Sequence, residues 1–205
     1  MNEKTVATPS VVMVSTPDDG SCGIGTYAGN LRCGFDSAVD ITQVTLNTGA
    51  NDASHFLWVA LRAGTRDGDV VHVQHEYGLF GPRSIYSWLF FPVLWLLTTF
   101  RRVPLVRTVH EAWTRETISD DPSRIKWIYI RAINQFLVLV ADELVFLSDT
   151  VETAFTATAS VPSCRMISHG VNFDREFDGT KRDARRKLRV DPQTTLVVEP
   201  GYVSK

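Results

Sequence analysis

The sequence predicts an α/β fold: a Rossmann-like open parallel sheet with helices on both faces, forming one main domain. Short apolar runs rich in β-branched residues alternate with segments of helical period along the chain. Parallel strands need crossover helices, and this alternation supplies them. The 205 residues, 44% of them hydrophobic, are enough for one buried core.

The predicted strands are short apolar runs bounded by turn residues. The first ends at the stretch from Thr16 to Gly20, whose proline, aspartates and glycine cannot continue a strand. The six predicted strands cover residues 11–15, 41–46, 70–73, 103–109, 144–147 and 165–167.

The predicted helices lie between these strands. The first begins near Thr26 and is expected to bury Tyr27, Leu31 and Phe35, which are spaced by four residues. The others cover residues 53–63 (burying Phe56, Leu57, Ala60 and Leu61), 84–100, 125–139 (burying Ile125, Ile128, Ala132, Phe136 and Leu139) and 149–155, which Asp149 and Glu152 open.

The overall charge argues against nucleic acid as a partner. The net charge is −2, so no positive field would gather a phosphate backbone.

The three cysteines are an odd number without paired CxxC spacing, and the polar first ten residues contain no apolar signal segment. These features predict a reducing, cytoplasmic location.

One segment requires a membrane to be considered. The run from Ile85 to Leu97 is densely apolar, contains Pro92 and is flanked by arginines. It is shorter than the roughly 20 apolar residues of a spanning helix. A buried or interfacial helix is therefore favoured over a span, and we expect peripheral contact with the inner face of a membrane.

The last 25 residues differ from the rest of the chain. Residues 181–189 include six basic residues in nine, which predicts a solvated linker helix over 181–190. A β-rich run follows over residues 194–198, and the chain ends at Lys205. The prediction is a main domain over 1–190 and the truncated first strand and loop of a further domain over 191–205.

The first candidate site is the glycine-bearing segment after the first strand. Gly23 to Ala28 has the GxGxxA form of a dinucleotide fingerprint. However, eight residues separate Val14 from Gly23, and the second strand is followed by Asn47 rather than an acidic residue. A phosphate-bearing or sugar-bearing ligand is favoured over a dinucleotide, and a plain glycine turn remains an alternative.

Two His-Glu pairs follow neighbouring strands, where ligands of open parallel sheets bind. His75-Glu76 follows the third strand and His110-Glu111 follows the fourth. Imidazole and carboxylate groups there can position a substrate or move protons. The spacing of a zinc-protease helix is absent, and His72 and His75 should point to opposite sides of their strand, so no metal site is expected.

A fourth polar segment lies after the sixth strand. It contains His169, Gly170 and Asn172, and a structural turn is at least as good an interpretation as a ligand contact.

Neither a GxSxG nucleophile elbow nor a GxxxxGK[ST] phosphate loop occurs in the sequence, so hydrolase and P-loop nucleotidase functions lack their signature residues.

Taken in order, these segments resemble the N-terminal domain of the family-four glycosyltransferases, which have the GT-B architecture of two facing Rossmann-like domains. The resemblance spans about residues 10–205 and depends on the order and spacing of five weak motifs. They are Cys22-Gly-Ile-Gly-Thr-Tyr27, the run from Asp69 to Gly78, Val109-His-Glu111, the run from Ala141 to Ser148, and His169-Gly-Val-Asn172.

The resemblance implies a function and roles for individual residues. In that family the N-terminal domain holds the acceptor, a glycan or lipid-linked molecule, and the C-terminal domain holds the nucleotide sugar. Transfer there typically retains anomeric configuration without an obligatory metal, so the nucleotide sugar is a co-substrate and no cofactor is implied. The resemblance implies that His110 is catalytic and that Gly23, Gly25 and Lys205 bind the donor. Lys205 would do so together with Gly201, in a phosphate-binding loop. The implied acceptor-binding residues are His75, Glu76, Tyr77 and Glu111.

The sequence also departs from the family pattern. Cys22 stands where relatives often have a first glycine, and Glu199-Pro200 interrupts an expected apolar strand end. The nucleotide-sugar domain itself lies outside this sequence, so the chain is expected to transfer little sugar unless another domain or chain completes the cleft. The alternative function is a non-catalytic remnant or binding module of the same fold.

Overall fold

The computed structural model describes residues 8–47, 49–114, 124–170, 179–191 and 193–195, with the side chain of residue 36 excepted. Six strands form one sheet in which every pairing is parallel. They are β1 Ser10–Ser15, β2 Asp40–Thr45, β3 Val70–His75, β4 Leu105–Val109, β5 Glu143–Phe146 and β6 Cys164–Met166, in the order β2-β1-β3-β4-β5-β6. The predicted open parallel sheet is confirmed.

Helices connect these strands, as the alternation predicted, and a further described helix comes after the last strand. They are α1 Gly23–Phe35, α2 Ala53–Thr65, α3 Ser87–Arg101, α4 Arg124–Leu139, α5 Asp149–Thr156 and α6 Lys181–Lys187. Short 3-10 turns cover Tyr77–Phe80 and Pro82–Ser84. Gly81 and Arg83 have φ angles of 77° and 56°, so the chain turns sharply there and α3 begins three residues later than predicted.

The helices lie on both faces of the sheet. The α2–α5 face carries the main core, where Val12, Val71 and Leu105 pack among helical residues such as Phe56 and Phe91. The opposite face, here the α1 face, carries alternate strand residues. There Arg32 of α1 donates to Gln43 of β2, and Tyr27 packs against His110 just after β4.

The buried sides of three helices differ from the predicted ones. On α1 the buried residues are Ile24, Gly25, Ala28 and Gly29, whereas Phe35 is 42% exposed. On α2, Leu57 and Leu61 are exposed, and Val59, Ala63 and Gly64 are buried beside Phe56 and Ala60. On α4, Ile125, Ile128, Ala132 and Leu139 are exposed, whereas Ile130, Ile133, Asn134, Leu137 and Val138 face the core.

Small residues are buried on α1 because the turn after β1 passes very close to it. A Cβ at Gly25 would collide with the carbonyl group of Pro17, and one at Gly29 with the carboxylate of Asp18. A polar residue is buried on α4 because Asn134 has partners: it accepts a hydrogen bond from the Tyr77 hydroxyl and donates one to Thr158.

The chain divides into two compact units, residues 1–169 and 170–205. The sheet and α1–α5 belong to the first unit. In the second, α6 has no buried residue and begins with a capping box between Thr180 and Asp183. Most of the predicted strand over 194–198 lies outside the described residues, as does Lys205. The predicted division at residue 190 stays a prediction.

Candidate functional site

The candidate site lies at the carboxyl ends of β3 and β4. The strand order changes direction beside β1, because β2 lies on one side of it and β3 on the other. In open α/β sheets, ligands bind beyond the carboxyl ends of the strands at such a switch point. Polar side chains of the α1 face meet at this edge.

His110 is the first residue after β4. Its backbone N–H donates to the carbonyl oxygen of His75 at 3.0 Å, which continues the β3–β4 ladder by one residue. Its ring Nε2 lies 2.8 Å from Oε1 of Gln74. Because an amide oxygen only accepts, Nε2 carries the ring proton, and Nδ1 is the acceptor of the neutral ring.

Gln74 connects His110 with a second histidine of the same face. The side-chain Nε2 of Gln74 lies 3.4 Å from Nε2 of His72, and the hydroxyl of Thr108 lies 2.8 Å from the same ring nitrogen. If Thr108 and Gln74 both donate, His72 Nε2 is unprotonated and every contact is satisfied. These hydrogen bonds, made through Gln74, fix the ring orientation of His110.

Burial keeps both histidines of this network neutral. Burial lowers the pKa of His110 to about 4, with smaller contributions from the nearby His169 and His72. Burial alone lowers the pKa of His72 to about 4. At neutral pH the edge of the site therefore presents an uncharged imidazole, which can accept a hydrogen bond from a hydroxyl group but is a weak base.

We expect the chain to lose stability in mild acid. A histidine of an unfolded chain titrates near about 6.5, well above the values of about 4 for His72 and His110. Between those values the unfolded chain binds more protons, so stability falls as the pH drops from about 6.5 to about 4. The slope is up to about 1.4 kcal/mol per pH unit for each histidine.

Urea unfolding at several pH values in that range measures the effect. His72→Gln removes one titrating ring, so the variant's stability should depend less steeply on pH than the parent's. Burial raises the pKa of Glu76 and Glu111, which acts in the opposite direction, and both proteins share this contribution. Equal slopes for parent and variant would contradict the assignment.

Two aromatic rings accompany His110 at this edge. Tyr27 of α1 packs edge-on against His110 and His169, with ring centroids 5.0 and 4.8 Å apart. The rings of His110 and His169 lie 6.1 Å apart. The structure thus brings the segment after β6, which the sequence left open between a turn and a ligand contact, next to the His-Glu pair after β4.

A groove of about 840 Å³ opens beside His110. Its described lining comes from the segment after β4, the first turn of α4 and helix α5, and includes Glu111, Trp127, Asp149 and Thr150. Trp127 was not among the predicted site residues, because no local sequence pattern shows that the start of α4 faces the end of β4.

The two glycines predicted to bind the donor lie in the first turn of α1 rather than in a loop. Gly25 is buried against Pro17 and has a packing role whatever it binds. Gly23 is half-buried. Their contact with a donor diphosphate stays a prediction, and the predicted roles of Gly201 and Lys205 fall outside the described residues.

The predicted acceptor residues divide into two groups. His75 and Tyr77 are fully buried on the α2–α5 face: His75 packs among Tyr77, Phe80 and Phe91, and Tyr77 stacks on Trp113. Their side chains cannot reach a ligand without opening the core, which argues against the predicted contact.

The carboxylates remain accessible. Glu76 and Glu111 are half-buried, and burial raises the pKa of both. Glu111 raises the pKa of Glu76 further, so the two carboxyl groups interact. Glu111 also lines the groove beside His110, and its predicted acceptor contact is compatible with the geometry.

Comparison with solved structures identifies a similar fold. The chain is similar to HepE of Anabaena, solved in complex with UDP and glucose, with a TM-score of 0.52 and 11% sequence identity over 88% of this chain and 50% of that one. A second HepE structure, with UDP, has a TM-score of 0.47 at 13% identity. The chain spans about half the length of HepE.

The likeness supports a glycosyltransferase-like fold and, at this identity, concerns the fold alone. No protein-family model and no curated protein matches the sequence.

Proposed function

We propose that this chain is the acceptor-side half of a glycosyltransferase and works in transfer of a sugar from a nucleotide sugar to a glycan or lipid-linked acceptor. The observation that carries the proposal is the neutral His110, held through Nε2 by Gln74 at the carboxyl end of β4, one strand beyond the switch point of a glycosyltransferase-like sheet. HepE, of similar fold, was solved with UDP and glucose.

Each of these groups has a proposed role in the transfer. In that reaction the bond from the anomeric carbon to the nucleotide diphosphate breaks, and a bond to an acceptor oxygen forms as its hydroxyl loses a proton. His110 accepts a hydrogen bond from a sugar hydroxyl at Nδ1 and so orients the sugar. Glu111, with its raised pKa, is the better placed of the two to take the acceptor's proton.

The proposed cleft needs a second wall that carries the donor. The chain spans half of HepE, in keeping with one half of a two-domain protein. The completing half is a donor-binding domain, in the same protein or in another chain, and the transfer needs no obligatory metal. The donor contacts predicted for Gly23, Gly25 and Lys205 stay predictions.

The competing function is a non-catalytic binding module of the same fold. A transfer assay separates the two: a protein containing both halves is incubated with radiolabelled nucleotide sugars and glycan acceptors, beside the isolated chain. We expect labelled product from the completed protein and little from the isolated chain. Absence of product with every donor, while acceptor glycans still bind, would favour the module.

We also propose that the chain attaches to the cytoplasmic face of a membrane. None of the described helices is long and apolar enough to cross a bilayer. Instead, the outward sides of α2 and α3 expose a set of large apolar side chains, here called the apolar helix surface: Trp58, Leu61, Trp95, Leu96 and Phe100. It extends the predicted contact over Ile85 to Leu97.

Charge favours an anionic bilayer as the partner of this surface. Helices α2 and α3 contain Arg62 and Arg101 and no aspartate or glutamate. Arg101 is paired with Asp67 at 3.3 Å, so the attraction to acidic lipid is assigned to Arg62. The guanidinium of Arg62 lies 5.1 Å from the ring of Trp58. An interfacial surface with aromatic residues and cations gains both from apolar burial and from attraction to acidic lipids, which the cytoplasmic leaflet carries.

We expect the chain to sediment with vesicles that contain acidic lipid and to bind zwitterionic vesicles more weakly. The double substitution Trp95→Ser and Phe100→Ser should weaken binding by about tenfold or more, because two large apolar side chains are lost from the contact. The matched control is Phe35→Ser, an exposed phenylalanine on α1 across the sheet. Equal binding by the double variant and the control would refute the attachment.

A further inference from the structure

The groove beside His110 has a composition that selects its ligand. Its described polar lining consists of the His110 ring, the carboxylates of Glu111 and Asp149, and the hydroxyls of Thr114, Thr150 and Thr153. Trp127 supplies a large aromatic wall, and the other described lining residues are small or apolar. No lysine or arginine is among the described lining residues.

The start of α5 does not compensate for this lack of cations. Free amides at a helix N-terminus attract anions, but here Asp149 and Glu152 occupy the first turn and the hydroxyl of Ser148 accepts from the N–H of Val151. The negative side chains offset the positive end of the helix dipole. The groove therefore has little attraction for a phosphate group.

The same groups suit a neutral sugar. A sugar ring has an apolar C–H face, which can pack on an indole ring, and an edge of hydroxyl groups that donate hydrogen bonds. Carboxylates accept such bonds strongly because they are charged. The neutral His110 adds an acceptor at Nδ1 and no charge.

We propose that this groove binds an uncharged sugar residue of the acceptor, packed on Trp127, with its hydroxyls directed to Glu111 and Asp149. Any phosphate of a lipid-linked acceptor then lies outside the groove. The proposal rests on the proposed function only in calling the ligand an acceptor, because binding to the groove needs neither a donor nor transfer.

The test is binding of small probes to the isolated chain. Neutral hexoses and their β-linked disaccharides are compared with the corresponding hexose phosphates by saturation-transfer NMR and titration. We expect the neutral sugars to bind about tenfold more tightly than the phosphates, because two carboxylates repel the added charge. Trp127→Ala should abolish the neutral-sugar signal, and Phe35→Ala, which removes an exposed aromatic ring of α1, should leave it unchanged.

Asp149→Asn gives a second readout that does not depend on the fold tolerating the loss of Trp127. Asp149 is exposed, and its amide variant removes one repelling charge. Asp149→Asn should lower the ratio of the affinity for neutral sugars to that for hexose phosphates several-fold. Tighter binding of the phosphates by the parent chain, an unchanged preference in Asp149→Asn, or no binding of any neutral sugar would overturn the proposal.

The outcome is distinguishable from failure of the proposed function. If neutral sugars bind and Trp127→Ala abolishes binding, but the completed protein transfers no sugar from any donor, the groove stands as a sugar-binding site and the transferase function fails. If transfer occurs and Trp127→Ala leaves the apparent KM for the acceptor unchanged, the groove assignment fails and the transferase function stands.

Discussion

His110→Ala should lower kcat for sugar transfer by the completed protein about 100-fold or more. Positioning a reacting group is worth about that much, and His110 supplies the imidazole among the described lining residues of the groove. Within the described part of the chain the half-buried ring makes one side-chain hydrogen bond, to Gln74, so its removal should cost only about 1 kcal/mol of stability. Steady-state kinetics and urea unfolding of the same preparations measure both effects.

Two further variants make this result specific. His55→Ala removes a histidine at the start of α2, outside the site, and should leave kcat unchanged. Gln74→Leu keeps the His110 ring but removes its partner, so kcat should fall less than in His110→Ala and its dependence on pH should shift. Near-normal turnover by His110→Ala would remove His110 from the catalytic machinery.

Gly25→Ala should destabilise the chain by about 3 kcal/mol or more, a large effect for one methyl group. The new Cβ would overlap the carbonyl group of Pro17, which is backbone and cannot rotate away as a side chain can. Helix α1 must then move, and Tyr27, which packs against His110 and His169, moves with it. Transfer should fall together with stability.

A second glycine of the same helix supplies the control. Nothing lies within 4 Å of a Cβ built on Gly34, so Gly34→Ala meets no obstacle. Because alanine loses less backbone entropy than glycine in a helix, this variant should gain roughly 0.5 kcal/mol. Thermal and urea unfolding compare the two, and similar stabilities would contradict the close packing of α1 on the turn after β1.

The sheet could be predicted from the sequence, whereas the buried sides of several helices could not. Apolar β-branched runs alternating with helical segments require parallel strands, and all six strands occur where they were expected within a few residues. Helix α1 buries small residues because a turn passes over it, and a scale of hydrophobicity assigns Gly25 and Gly29 no preference for that side. On α4, Asn134 is buried because Tyr77 and Thr158 satisfy it.

The candidate site was predicted in part for a similar reason. The rule that ligands bind beyond strand ends selects His110 and Glu111 directly. It also selects His75, but alternation along β3 turns this ring into the core and turns Gln74 toward the α1 face. The register of β3 against β4, with Gln74 beside Thr108, could have identified Gln74 as the partner of His110. Trp127 depends on how α4 packs, which no local pattern shows.

NMR of the histidine rings tests the central claim most directly, that a neutral His110 held by Gln74 faces a sugar. Nitrogen-15 and carbon-13 spectra report the protonated ring nitrogen and the pKa of each histidine. We predict that His110 carries its proton on Nε2, titrates near about 4, and shifts when a nucleotide sugar and a neutral acceptor are added to the completed protein. A proton on Nδ1, titration near about 6.5 as in a free histidine, or no response to either sugar would contradict the account.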